Sequence, residues 1–148
     1  MRKTKTIPDE EKFRMMLKTH GLRATNARMS IHRAMMALEH ASAEHVAEWL
    51  EKRHDSAASV SSIYNILTQM ATEGIYSWRL SADNKRYFDV CASSHTHLYD
   101  RKNGVYKNLS DDIVREAIND ILKRHRFRGY TVEDIDVQVV CHPRGSSR

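Results

Sequence analysis

Apolar positions recur at helical spacing four times in the first half of the chain. Phe13, Met16 and Leu17 do so after Asp9-Glu10-Glu11, an acidic start that suits a helix N-terminus, and before Gly21. That pattern predicts a helix from Asp9 to about His20. Ile31, Ala34, Met35 and Leu38 mark a second helix, with Thr25 or Asn26 as its cap. Val46, Trp49 and Leu50 mark a third, capped by Ser42, and residues 54–58 read as a short connection. Val60, Ile63, Tyr64, Leu67, Met70 and Ala71 form the buried stripe of a fourth helix, about Ser59 to Glu73, which Gly74 ends.

From Ile75 the pattern changes. Ile75–Leu80 and Lys85–Val90 are short runs of β-formers around a polar Ser81-Ala82-Asp83-Asn84 tip, which predicts a hairpin. Helices followed at once by a hairpin is the order of a winged helix-turn-helix, whose last helix enters the major groove while the wing lies on the backbone. Arg79, Lys85 and Arg86 stand where such a wing meets phosphates. A second hairpin is expected from His97–Arg101 and Val105–Leu109 around Lys102-Asn103-Gly104. Ser110 then caps a helix striped by Val114, Ala117, Ile118, Ile121 and Leu122, and Ile135, Val137, Val139 and Cys141 alternate as a last, half-buried strand.

The predicted class is therefore α+β. An N-terminal winged helix-turn-helix DNA-binding domain covers residues 1–90, a small α/β dimerisation domain 91–141, and a disordered tail 142–148. The second unit is thin for an isolated domain, and pairing with a copy of itself covers its sheet, so a homodimer is expected.

Charge and composition narrow the picture only slightly. A net charge of +5 and pI near 9.3 permit a nucleic-acid partner without locating its contact. More telling is the far face of the fourth helix, where Ser61, Ser62, Asn65 and Gln69 offer uncharged hydrogen-bonding groups able to read base edges; an ordinary surface helix is the plainer explanation. Two cysteines, Cys91 and Cys141, exclude a thiolate-rich zinc site within one chain. No apolar run reaches membrane-spanning length and no signal-peptide core opens the chain, which makes the expected location a reducing cytoplasm with no membrane partner.

The densest candidate chemistry is Asp89 to His97. His95 and His97 project from one face of an extended segment, and two imidazoles with a carboxylate suit iron(II), zinc, manganese or cobalt. Solvated loop residues would look the same on spacing alone. A non-haem iron enzyme could use the same three groups as a facial triad, but no separate general base or substrate motif accompanies them, and the chain is read as no enzyme.

Several short segments, in order and at matching intervals, carry a resemblance. They are Gly21-Leu22-Arg23-Ala24-Thr25 with Arg28, His40-Ala41-Ser42-Ala43-Glu44, Ser61-Ser62-Ile63-Tyr64-Asn65-Ile66-Leu67, Glu73-Gly74-Ile75, Tyr87-Phe88-Asp89 and His95-Thr96-His97. Over about residues 10–141 the chain resembles the ferric uptake regulator superfamily. That resemblance implies a dimeric, metal-responsive transcriptional regulator that binds a palindromic operator in double-stranded DNA. It implies one divalent metal per subunit, iron(II), manganese or zinc, held by His40, Asp89, His95 and His97, with Asn108 at a fifth position. It also implies DNA contacts from Arg23, Ser61, Ser62, Tyr64 and Asn65. Metal shared between the two domains would favour one arrangement of the winged helices over another.

Departures from the family pattern matter as well. Its two Cys-x-x-Cys pairs, which hold a structural zinc, are missing; Asp100 and Asn103 stand at the first pair, so structural zinc is expected to be absent. Ser94 and Thr96 replace ligands of a second regulatory site, and Asn108 replaces a carboxylate. Asp89 is similar to the peroxide-stress branch, and Ser93-Ser94-His95-Thr96-His97 to the iron-response branch, in which haem is the ligand, but Cys141-His142-Pro143 is not the usual haem motif. The branch stays open. So does a winged-helix binder that needs no metal.

Overall fold

Each helix of the first half starts on a side-chain oxygen, as the sequence pattern requires. The computed structural model describes residues 6–55, 58–92, 96–109, 113–133 and 135–145. Asp9 accepts the Lys12 amide at 2.7 Å and opens α1 (Glu10–Thr19), while Thr25, not Asn26, caps α2 (Asn26–Leu38). Ser42 opens α3 (Ala43–Lys52) in a reciprocal capping box with His45, and Ser59 opens α4 (Val60–Thr72). Each such cap contributes on the order of 1 kcal/mol by satisfying an amide that would otherwise lack a partner.

The chain divides into two compact units, Met1–Ser93 and Ser94–Arg148. In the first, Phe13, Leu17, Ile31, Ala34, Met35, Val46, Leu50, Ile63, Leu67 and Met70 close one core. Val60 and Tyr64, expected in that stripe, lie instead on the exposed flank of α4 at 41% and 37% exposure. The apolar arc of α4 is narrower than its apolar residues suggest: Ile63, Leu67 and Met70 are buried, and Ile66 and Ala71 pack against the same core half-buried. A hairpin of β2 (Ser77–Leu80) and β3 (Arg86–Asp89) forms the wing, shorter than expected at both ends. A two-residue strand that the sequence pattern misses, β1 (His40–Ala41), pairs with β3 to give the sheet order β1-β3-β2.

His32 sits fully buried in this core. Its ring stacks on Phe13 at 3.9 Å, its Nε2–H donates to the Pro8 carbonyl at 2.7 Å, and its Nδ1 accepts the Tyr76 hydroxyl at 2.7 Å. A carbonyl can only accept, so these partners fix the Nε2–H tautomer. Burial holds the imidazole below its ordinary pKa and pushes the Tyr76 phenol upward, keeping both neutral.

The second unit places β4 (Thr96–Asp100) between β5 (Val105–Asn108), antiparallel to it, and β6 (Val137–Cys141), parallel to it. The parallel pair needs a crossover, and α5 (Ile113–Lys123) lies within it. The expected cap Ser110, with Asp111 and Asp112, falls outside the described residues. No residue of α5 is buried: Ile113, Val114 and Ile121 are 65%, 43% and 57% exposed. The expected alternation along the last strand is likewise not seen, since Val139 and Val140 are both exposed on this edge strand. Of the tail, residues 142–145 are described and contain a turn at Arg144-Gly145; the rest lies outside the described residues.

Candidate metal centre and nucleic-acid interface

Glu39 makes the abrupt turn that sets the first metal-ligating candidate. It follows α2 with φ 61°, a conformation that costs a non-glycine residue on the order of 1–3 kcal/mol. Its carbonyl accepts the Val90 amide at 3.0 Å, which ties the turn to the end of β3. The next residue, His40, is then registered opposite Asp89. His40 Nε2 lies 3.2 Å from Asp89 Oδ2, with both side chains buried, 4% and 3% exposed. The other carboxylate oxygen, Oδ1, accepts the Cys91 amide at 2.8 Å.

Arg79 belongs to this cluster and not to the phosphate-facing wing where the sequence pattern puts it. It is 8% exposed, and its Nη2 lies 3.8 Å from Asp89 Oδ2. A buried carboxylate needs compensating charge and hydrogen bonds, and Asp89 draws on an arginine, a histidine and a backbone amide. A dry imidazole nitrogen beside a carboxylate oxygen fits a borderline divalent ion, so His40 and Asp89 suit two of the expected ligand positions.

In the second unit His97 and Asn108 are directly opposed on β4 and β5, which puts their side chains on one face. The His97 ring is fully buried and meets Tyr106 edge-on at 5.6 Å, while Asn108 is exposed. Tyr106 is itself held by a hydroxyl bond to Gln138 Oε1 at 2.9 Å. His95 falls outside the described residues. At the turn where the resemblance would place a cysteine pair, Asp100 Oδ1 accepts the amides of Lys102 and Asn103 at 3.0 and 3.1 Å, and Oδ2 accepts the Asn103 carboxamide at 2.7 Å. The Asn103 side-chain bond is the main reason the Asp100 carboxyl is held below its usual range.

The exposed face of α4 carries Ser61, Ser62, Tyr64 and Asn65, all open to solvent. Ser61, Tyr64 and Asn65 line a cleft of about 280 Å³ with Ala43 and Glu44 of α3. Ser62 is partly committed to the helix start, its amide and hydroxyl both bonded to Ser59. Gln69 is not a free reader, because Arg28 Nη2 donates to its Oε1 at 2.9 Å. The same guanidinium donates to the Arg23 carbonyl at 2.7 Å, fixing the exposed loop that carries Arg23 to α4. No helix of the described residues is long and apolar enough to cross a membrane.

Comparison with known proteins agrees with this architecture. The model of the Ferric uptake regulator family matches residues 19–139. The ferric uptake regulator of Vibrio cholerae has a similar structure, with a TM-score of 0.74 at 20% identity over 88% of this chain and 99% of that one. The Pseudomonas aeruginosa regulator with manganese aligns with a TM-score of 0.66 at 22% identity, covering 88% and 96%. The Helicobacter pylori regulator, described as having three functional metal binding sites, aligns at 0.64 and 21%, covering 95% of each chain. At such identities the likeness establishes the fold. No curated protein sequence matches the chain.

Proposed function

The chain belongs to the ferric uptake regulator family, and from that premise we propose that it is a homodimeric switch in which one divalent metal per subunit governs binding to a palindromic operator. Members of the family are metal-responsive transcription regulators that bind DNA, and they are not enzymes. The ligands are His40 and Asp89 of the first unit with His95 and His97 of the second, and Asn108 as a neutral fifth position. Iron(II), manganese and zinc all suit two or three imidazoles and one carboxylate. The observation that carries this reading is the buried His40–Asp89 pair, in which an imidazole nitrogen and a carboxylate oxygen held 3.2 Å apart away from water offer two ligands to one positive charge.

Bound metal would supply that charge, and ligands drawn from both units give it a preference for one arrangement of the chain. Only such differential affinity can shift the equilibrium. Arg23, Ser61, Ser62, Tyr64 and Asn65 then meet the duplex, with the uncharged side chains at base edges and Arg23 at the backbone or minor groove. Dimerisation is supported by the uncovered apolar face of α5 and the exposed edge of β6. Metal supply, peroxide acting through bound iron, and haem are the signals compatible with this one centre. Calorimetric titration of the metal-stripped protein with manganese(II) tests the ligand set: one site per subunit is expected, weakened in Asp89→Ala.

A second reading has its own support. Arg79 already offers Asp89 a cation at 3.8 Å, and a site with Asn108 in place of a carboxylate carries less negative charge. A regulator of this kind could hold its DNA-binding form without metal. Equal DNA affinity in the stripped and loaded states would favour it.

A further inference from the structure

Arg86 connects the wing to the recognition helix. Its Nη1 donates to the Tyr64 hydroxyl at 2.7 Å, and its guanidinium carbon sits 4.2 Å above the Trp78 ring of the neighbouring strand. Beneath Tyr64, Phe88 of the same β3 strand meets the phenol edge-on at 6.0 Å. The Tyr64 ring is thus oriented by Phe88 and its hydroxyl by Arg86, although the residue is 37% exposed on the solvent side of α4.

The chemistry of this pair has a direction. A guanidinium has five N–H donors and no acceptor, so in the Arg86–Tyr64 bond the phenol oxygen can only accept. The hydroxyl proton is then left for a different partner, and among the described residues no acceptor takes it. We propose that Arg86 is a positioning residue that sets Tyr64 as an obligate hydrogen-bond donor toward DNA. The inference rests on the DNA-binding reading of α4 given above. As a donor, Tyr64 addresses acceptors: a phosphate oxygen, a purine N7, guanine O6 or thymine O4. It does not address the amino groups of cytosine or adenine. Cation–π stacking on Trp78 holds the guanidinium in place, so the wing acts on recognition through α4 as well as by touching the backbone.

The test uses the full-length, manganese-loaded protein and a pool of random-sequence duplexes. Enrichment of a sequence by the wild type establishes DNA recognition; failure to enrich any sequence overturns the DNA reading and this inference together. On the enriched duplex, fluorescence anisotropy is compared for wild type, Tyr64→Phe, Arg86→Met, Arg86→Lys and the Tyr64→Phe/Arg86→Met double variant. If Arg86 acts through Tyr64, each of the two principal single variants weakens binding about tenfold, and the double variant is no weaker than the worse of them. Arg86→Lys, which keeps a charged donor, lies closer to wild type than Arg86→Met. The salt dependence of binding stays unchanged in Arg86→Met.

Multiplicative losses in the double variant, with the salt slope reduced by about one, would make Arg86 an independent phosphate contact and overturn the inference while leaving DNA recognition intact. Circular dichroism checks that Arg86→Met folds. Should it not, the same cycle is run with Arg86→Ala, which also removes the donor, under the same criterion of additivity. Repeating the selection with Tyr64→Phe separates the two acceptor sources. Relaxed preference at one base position indicates a base edge, and a uniform loss across sequences indicates phosphate.

Discussion

His40 and Asp89 face each other across β1 and β3, Nε2 to Oδ2 at 3.2 Å, because a single positive-φ residue, Glu39, turns the chain out of α2 and into pairing with the wing. The carboxylate is shared with Arg79 and with the Cys91 amide. Its replacement should therefore affect metal and packing together, and the two effects must be read apart. Asp89→Asn keeps the shape and one oxygen to accept the Cys91 amide, and it removes the charge. We expect it to weaken manganese(II) binding by at least about tenfold, the lower end of what even an outer-shell partner of a metal contributes. Calorimetry reads the affinity and circular dichroism confirms the fold; unchanged affinity in a folded variant would remove Asp89 from the ligand set.

The Asp100 turn performs with hydrogen bonds what a metal-bound cysteine pair would otherwise do at that place. Asp100 accepts from two amides and a carboxamide, and those bonds favour its ionised form. With the folded pKa depressed, that stabilisation is present above the ordinary carboxylate value of 3.8 and is lost as pH falls through the lower, folded value. Asp100→Ala should therefore lower the protection of the Lys102 and Asn103 amides against hydrogen exchange at neutral pH. Equal exchange rates in variant and wild type would show that the strand ends alone hold the turn.

His32 predicts a pH dependence of opposite origin. Burial lowers its folded pKa below 6.5, so the unfolded chain binds the proton first as pH falls. Its contribution to stability is complete above 6.5 and declines from there down to the folded value. Urea unfolding of the wild type should show a lower midpoint at pH 5.5 than at 7.5, and His32→Gln, which cannot titrate, should show a smaller difference. A difference just as large in the variant would assign the effect to other groups.

The apolar face of α5 gives a prediction about assembly. Ile113 and Ile121 are more than half exposed in the single chain. Ile121→Glu should shift the protein from dimer to monomer in sedimentation velocity while leaving the first unit folded. A variant that sediments as the wild type does would place the interface elsewhere.

Much of the fold was legible in the sequence because local chemistry carries it. The caps at Thr25 and Ser42, the helical stripes and both hairpins depend on residues only a few positions apart. What escaped depends on distant partners. β1 is two residues long and has no period to detect, and it exists because β3 offers it an edge. Arg79 reads as a wing cation until Asp89 is known to lie within reach. Nothing in the sequence singles out His32 on α2, and its burial comes from Pro8, Phe13 and Tyr76 closing around it. Gln69 was expected to read DNA and is instead bound by Arg28, a pairing across 41 residues of sequence. Of the proposed metal ligands, the strand positions of Asp89 and His97 were readable, whereas the opposition of His40 to Asp89 was not, because it follows from one strained backbone turn.

The most direct test of the account is DNA affinity as a function of bound metal. A duplex enriched from a random pool is titrated with manganese-loaded protein, and again after the metal is removed with a chelator. Coupling between the sites predicts that stripping weakens binding on the order of tenfold or more, within the about 5–150-fold typical of linked sites, and that Asp89→Asn abolishes the difference. The same affinity with and without metal in the wild type would contradict the claim that the ion controls the regulator.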